Sequence, residues 1–578
     1  MSRRLLLGLA VALTAALTPA VASAADPTPF GNPCTPQFGV RFCPAADLSQ
    51  RVPAWDGVPL DVDVTLPATG TGPFPTIVMM HGYGGNKGAY EAKAASTGFN
   101  NVGLAGRGYA VVTLSARGFG KSCGSAASRT AGCERGWIHL ADQRYEAHDT
   151  QYLLGLLVDQ KIASPKSLGV TGGSYGGGQS LNLAFLKNRV RKVNGSFIPW
   201  TSPKGTKLSI AAAYPVIPWS DLSSALVPNG RAANFSAPPG VQIQSYVNAL
   251  YNGGNATGFV SPLGVDASAD LQSWNDLTNK GEPYGAPAKA ALATLSKYHS
   301  VMQLSGTPAP LLMASGWTDD LFPPVQTTRV YDALRKKNRK APVWLQVGDF
   351  GHARGGSHTN DQNMLNTQAI AFFDHYLRGR KTALPKPGSV LAFGQTCPKD
   401  APSGLGPFRA SSWSGLSRKT VTLSAPGTQT VTHDGGDHAL SASLDPILGK
   451  GANACSTYPS GGVTAGTALA TAPSKGFTYL GFGHITAKVS TAGLYGQLDA
   501  RLWDVDGDTQ TLVDRSVYRL APGQKGNVAF DLHGNGYAFP AGHTVKLELL
   551  GYDAPTHRAS NGTFTVQVSK TKAVLPTR

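Results

Sequence analysis

Acidic side chains are scarce in this 578-residue chain: 34 Asp and Glu face 51 Lys and Arg, and charged residues make up only 15%. The net charge of +17 arises from missing acids, not from a basic run with interleaved aromatics, so no nucleic-acid partner is expected. The surplus favours, at most, weak attraction to anionic surfaces. Hydrophobic residues reach 41%, enough for large cores, which excludes a disordered chain. Beyond the N-terminus no segment offers the ~20 apolar residues of a membrane span. No repeat of solenoid or propeller period is present. None of the six cysteines stands in a C-x-x-C unit, so neither a zinc nor a redox site is indicated, and no metal or cofactor is expected.

What is present begins with an export signal. Arg3 and Arg4 precede an apolar stretch from Leu5 to Leu17, and Ala22-Ser23-Ala24 offers small residues for cleavage. The paired arginines also resemble a twin-arginine signal. Removal of residues 1–24 predicts a secreted protein with no membrane contact. All six cysteines follow that point. Their spacing predicts the disulfides Cys34–Cys43 and Cys123–Cys133, which leaves Cys397 for Cys455.

Length alone predicts more than one domain. Short runs of β-branched and aliphatic residues at Val62–Leu66, Ile77–Met80, Tyr109–Leu114 and Leu168–Thr171 read as strands, with a helix over 142–158. Strands separated by helices predict a mostly parallel sheet. The pattern continues through 210–217, breaks into Asn-, Gly- and Ala-rich helical text, and resumes at 310–314. It then runs through a helix at 325–335, a strand at 343–347 and a helix at 362–377. After Pro385-Lys386-Pro387, short alternating strands take over, which predicts an all-β jelly roll or sandwich. The expected division is therefore a hydrolase-type core over 25–218 and 301–384, a helical cap over 219–300, and a β domain over 385–578. The basic tail from Lys570 is expected to fray.

G-x-S-x-G occurs twice, around Ser122 and around Ser174. A nucleophile elbow needs a strand before it and a helix after it, with small residues around a strained turn. Only Ser174 has them: Leu168-Gly169-Val170-Thr171 leads in, and Ser180-Leu181-Asn182-Leu183 follows. Ser122 runs into a Ser/Ala/Gly loop and is expected to be structural. A serine needs a base and an orienting acid, which on a parallel sheet follow in the order Ser, acid, His. Asp319 follows the strand ending at Ala314, and His352 follows the strand ending at Val347. Asp320 and His358 compete for those roles. His375 reads as a surface residue of the last helix, and His81 as part of a loop suited to stabilising an oxyanion. For the oxyanion hole the backbone N–H of Tyr175 is one donor, and the Tyr83 loop supplies the other through its hydroxyl or an N–H. Asp504-Val505-Asp506-Gly507-Asp508 has calcium-loop spacing, yet Arg515 stands where the closing Glu would be, so a β-turn is expected.

These stretches resemble the family that contains X-prolyl dipeptidyl peptidases, cocaine esterase and α-amino-acid ester hydrolases. The resemblance is carried by Arg117-Gly118-Phe119-Gly120-Lys121-Ser122-Cys123-Gly124, the elbow Gly172-Gly173-Ser174-Tyr175-Gly176, and Gly316-Trp317-Thr318-Asp319. Further along, Phe373-Asp374-His375-Tyr376-Leu377-Arg378-Gly379 and Ala500-Arg501-Leu502-Trp503-Asp504-Val505 also match. It implies an α/β-hydrolase with a C-terminal jelly roll, in which Ser174 attacks, His352 is base and then acid, Asp319 orients it, and the Tyr83 hydroxyl completes the oxyanion hole. The loop here is His81-Gly82-Tyr83-Gly84-Gly85, where the family usually has Pro-Tyr.

The leading expectation is a secreted X-prolyl dipeptidyl-peptidase-like serine peptidase acting on a peptide. A carboxylic-ester hydrolase with the same triad is the alternative, and an inert wall- or polysaccharide-binding protein stands in a different class. A dipeptidyl peptidase needs a carboxylate for the substrate ammonium. Asp221 is the first candidate, ahead of Asp266, Asp270, Asp276 and Glu282, although Asp221 also suits a helix cap. Trp317 is a second candidate for the substrate pocket.

Overall fold

The computed structural model describes residues 26–231, 238–449, 452–461 and 464–578, so the expected signal segment lies outside the described residues. Apolar β-branched runs build one large mixed sheet. Its strands lie in the order Thr35–Gln37, Val40–Cys43, Val62–Leu66, Ala110–Leu114, Phe74–Met80, Ala163–Gly173, Ile210–Val216, Leu311–Gly316, Val343–Gly348, Val390–Gly394 and Leu405–Ala410. The seven from Ala110–Leu114 to Val390–Gly394 are parallel. Their near-continuous burial fits a sheet covered by helices on both faces. The chain moves to one side of Phe74–Met80 and then returns to the other, so the strand order reverses beside Ala163–Gly173. Open parallel sheets form their ligand crevice at that place, outside the strand C-termini.

Between Ile210–Val216 and Leu311–Gly316 the chain leaves the sheet for four helices, Leu222–Leu226, Gln244–Thr257, Leu271–Lys280 and Ala286–Tyr298. Leu271, Trp274 and Thr278 form a buried stripe on one, and Ala288, Ala291, Leu292 and Leu295 on the next. These rows at helical spacing pack over the C-terminal ends of the parallel strands with Tyr175, Leu321 and Phe322.

The first sheet ends later than its sequence implies. Pro385-Lys386-Pro387 reads as the start of the β domain, but Val390–Gly394 is wholly buried and pairs in parallel with Val343–Gly348, and Leu405–Ala410 closes the edge. The boundary expected at 384 therefore moves past Ala410. Beyond it lies a separate, all-antiparallel ten-stranded sheet with its own apolar core. Cys397–Cys455 ties the two units together, and Cys34–Cys43 and Cys123–Cys133 also pair as their spacing implies. No helix among the described residues is long and apolar enough to cross a membrane.

The tail expected to fray is a strand. Phe564–Thr577 pairs with Lys419–Ser424, Thr428–Thr432 and His484–Gly493. The lysines mislead because alternation continues through them: Thr571, Ala573 and Leu575 point inward while Lys570 and Lys572 flank them. Deleting residues 570–578 should lower Tm by about 5 °C or more, since buried strand pairing and a core leucine are lost. An unchanged melting curve would mean that the segment contributes nothing.

Candidate active site

Ser174 sits between the strand Ala163–Gly173 and the helix Tyr175–Leu186 with φ 55° and ψ −113°, a conformation costly for a residue with a side chain. The glycines around it make that turn possible. A Cβ at Gly172 or Gly176 would overlap the Met80 carbonyl oxygen, one at Gly177 the Val216 carbonyl oxygen, and one at Gly178 the Trp219 ring. The run Gly172-Gly173-Ser174-Tyr175-Gly176-Gly177-Gly178 thus records how closely the helix is pressed onto two neighbouring strands. The Ser174 N–H donates to Val216 O at 3.0 Å, which fixes the turn to the next strand.

Asp319 and His352 emerge from the ends of two further parallel strands. Ser174 Oγ lies 2.8 Å from His352 Nε2, and His352 Nδ1 lies 2.9 and 2.8 Å from the two Asp319 oxygens. Asp319 also accepts from the N–H groups of Leu321 and Phe322 at 3.1 and 2.8 Å. The ring of His352 is held edge-on to Phe322 at 5.3 Å. This arrangement can move a proton from serine to imidazole while the carboxylate holds one tautomer.

The rival residues are engaged elsewhere. Asp320 turns away from His352 and takes the Arg354 guanidinium at 2.6 and 2.8 Å, with Arg515 at 3.8 Å. Burial alone would raise its carboxyl, but Arg354, His533 and Arg515 together hold it far below the usual range. His358 lies 2.9 Å from Asp349 and 2.6 Å from Ala401 O. Ser122 Oγ donates to Ser115 O at 2.7 Å and accepts from the Asp61 N–H at 2.8 Å, fully buried. His81 is pushed down to about 4 by burial and accepts the Ala116 N–H at 2.9 Å.

Tyr175 is the first residue of its helix, so its N–H has no carbonyl one turn back to bond. Its side chain points inward: the hydroxyl donates to Glu146 at 3.0 Å and accepts from the Ala141 N–H at 2.9 Å. The Tyr83 loop passes against Ser174, since a Cβ on Gly82 would lie 3.9 Å from Ser174 Cβ. The Tyr83 ring meets Phe119 and Tyr175 at 5.1 and 5.5 Å, and its hydroxyl rests on Gly254 of the helical insertion.

Two expected substrate contacts do not face the pocket. Asp221 caps the helix Leu222–Leu226 through the Ser224 N–H at 2.8 Å, and its other oxygen takes the Ser296 hydroxyl at 2.5 Å. The helix-cap reading prevails because Asp at that position satisfies an otherwise orphaned donor. Trp317, just past its strand, is buried away from the cavity lining, donating to Phe393 O at 2.8 Å and packing on Trp413. Three other acids in the insertion are also occupied, since Asp266 takes Trp137 Nε1, Asp270 caps a helix and Glu282 meets Arg519, while Asp276 is exposed on its helix. Asp504 accepts from Tyr537 and His543, which leaves the acidic turn as a turn.

What does face Ser174 is a cavity of about 100 Å³ walled by Trp219, Leu222, Leu250, Trp274, Leu292 and Phe322, with Tyr83 and Tyr175 also in its wall. Among the described residues no charged side chain lines it. Sequence reasoning located the insertion but not this lining. The signal was available in the apolar stripes of its helices, which face inward at 271, 274 and 278 and at 288, 291, 292 and 295.

The geometry invites comparison with known proteins. The family model of X-Pro dipeptidyl-peptidase (S15 family) matches residues 56–354, just over half of the chain, and the protein belongs to that family. None of the curated proteins matches. Among solved structures, an α-amino acid ester hydrolase is similar at 15% identity and TM-score 0.58, covering 98% of this chain and all of that one. A CocE/NonD family hydrolase from Staphylococcus aureus is similar at 12% identity and TM-score 0.56, covering 93% and 94%. An aminopeptidase from a marine-sediment Thaumarchaeota archaeon is similar at 13% and 0.57, covering 94% and 97%. At such identities the likeness is one of fold.

Beneath the pocket, Glu146 accepts from the N–H groups of His139 and Asp142 as well as from Tyr175. Burial pushes its carboxyl up to about 8, against the pull of Arg117. Burial likewise pushes Asp514 up to about 7. Each group holds its proton in the fold at pH values where the unfolded chain, at 4.5 and 3.8, has lost it. Their stabilisation is complete below those unfolded values and disappears as pH rises through 7 to 8. Histidines kept neutral by burial act the other way, but only below their unfolded value of 6.5. Tm should therefore fall between pH ~6.5 and ~8.5, and Glu146→Gln should flatten part of that slope. Differential scanning fluorimetry reads both. A Tm that climbs over the interval would contradict the assignment.

Proposed function

We propose that this chain is an exported serine hydrolase working through an acyl-enzyme, with an α/β-hydrolase core, a helical cap and a jelly roll. Ser174 Oγ adds to the substrate carbonyl while its proton passes to His352 Nε2. Asp319 keeps the opposite ring nitrogen protonated and stabilises the imidazolium. The Tyr175 N–H and a donor from the Tyr83 loop receive the oxyanion. Collapse expels the leaving group, which takes its proton from His352, and water repeats the sequence to release the acid. The 2.8 Å contacts of His352 with both Ser174 and Asp319 carry this reading.

Ser174→Ala should fold normally, lose labelling by a fluorophosphonate and lose at least ~10³ in kcat. Ser122→Ala removes a buried hydroxyl that holds a loop, so it should lower Tm yet keep its labelling. The reverse pattern would transfer the nucleophile to Ser122.

For the acyl group, the apolar cavity favours an uncharged phenyl-sized or short aliphatic moiety; a dry cavity of ~150 Å³ in another protein takes up benzene. An ammonium entering such a space without a carboxylate would be heavily penalised. The substrate class we infer is thus an ester or amide of a small hydrophobic acid. X-prolyl dipeptides remain the second reading, on the strength of family membership. Comparing kcat/KM for p-nitrophenyl butyrate and benzoate with Ala-Pro p-nitroanilide, free and N-acetylated, separates them. Faster turnover of the esters, with the acetylated peptide at least equal to the free one, is expected. A strong preference for the free amine would establish the peptidase.

A further inference from the structure

The nucleophile occupies the C-terminal edge of the parallel strands, and the opposite edge has a chemistry of its own. Between the helix after Ser174 and the strand Ile210–Val216, residues 187–209 contain Lys187, Arg189, Arg191, Lys192, Lys204 and Lys207 and not one Asp or Glu. Arg189–Arg191 and Phe197–Pro199 pair there as a hairpin. Val193, Phe197 and Ile198 stand 44%, 40% and 43% exposed, three of the eight large apolar side chains exposed among the described residues. Lys187 and Lys207 join Lys166 and Asn188 around a shallow cleft of about 450 Å³.

The charge of this edge is poorly compensated. Arg189 donates to the carbonyls of Phe185 and Ser305, and Arg191 to Gln143 Oε1 and Lys297 O, while both guanidiniums lie over the Phe197 ring at 4.9 and 5.1 Å. The neighbouring carboxylate, Asp159, takes the Ser202 hydroxyl and the Lys204 N–H. The same holds across the molecule: among the described residues seventeen acidic side chains are buried, against nine basic ones.

We propose that this edge is a peripheral docking surface for an anionic lipid bilayer. Lipid phosphates would meet Lys166, Lys187 and Lys207, and Val193, Phe197 and Ile198 would enter the headgroup boundary. Basic residues alone would suit a hydrated acidic polymer equally well. Apolar side chains raised on the same hairpin gain only where there is hydrocarbon to enter. Such contact is peripheral and needs no spanning helix. The twelve-residue helix Tyr175–Leu186, ~18 Å long, separates the hairpin from Ser174, so the docked protein presents its active site to solution.

The test is co-sedimentation of the mature chain with vesicles of phosphatidylcholine alone or with about 30% phosphatidylglycerol, at ~0.1 M and higher salt. Binding is expected only to the anionic vesicles, weakening with salt. Binding should be at least ~10-fold weaker for both Phe197→Ser/Ile198→Ser and Lys166→Glu/Lys207→Glu. Turnover of a soluble ester should be unchanged in both variants and by bound vesicles. Two outcomes overturn the proposal. One is no binding to anionic vesicles. The other is loss only in the lysine variant, with retention of a soluble acidic polymer, which would make the edge a plain electrostatic site.

Discussion

The buried contact of Asp320 with Arg354 holds the loops that carry Asp319 and His352 in place. Asp320 follows Asp319 and Arg354 lies two residues past His352, so one ion pair ties the loop of the acid to the loop of the base. Both partners are almost wholly buried, and burying two charges is favourable only when geometry and further hydrogen bonds are good. Here the supply continues outward. Arg515 from the antiparallel sheet approaches Asp320 and also bonds Asp553, which in turn holds Arg501. Removing any one of these charges would strand another in a low-dielectric interior. The second domain is thus bound to the loops of Asp319 and His352 by charge, and to the first sheet's end by the disulfide Cys397–Cys455.

The adjacent aspartates show how neighbouring residues are assigned opposite work. Both follow the same strand, but Asp319 is turned toward His352 by the N–H groups of Leu321 and Phe322, whereas Asp320 faces guanidiniums. Sequence could rank them only by distance from the strand end. The loop decides the matter, because beyond Gly316 the chain leaves its strand and turns, and each carboxylate goes where its own partners stand.

The elbow was legible for a related reason. Its constraint is steric and local: a strained serine between a strand and a helix needs small neighbours, and glycine records that need directly. Order along the chain then led to the acid and base. The pocket was less legible, since its lining comes from helices distant in sequence whose apolar stripes look like any core. Asp221 and Trp317 failed as pocket residues because a cap and an indole N–H found partners in the fold first. The sheet boundary and the last strand were missed where Pro or Lys suggested the start of the β domain or a frayed tail. Buried neighbours on a sheet override that composition.

Scarcity of acids is also a structural fact, not only a compositional one. Many of the carboxylates are drawn inward to cap helices, as Asp221 does, or to neutralise buried arginines, as Asp149, Asp320 and Asp553 do. Lysines lack the planar fork that makes such buried pairing favourable, and none is buried among the described residues. The interior therefore consumes the acids while the basic surplus is left outside. A chemical centre lined by apolar side chains and an exterior rich in lysine are consequences of the same distribution. It places charge where it can pair with arginine or meet solvent, and keeps it away from the space in front of Ser174.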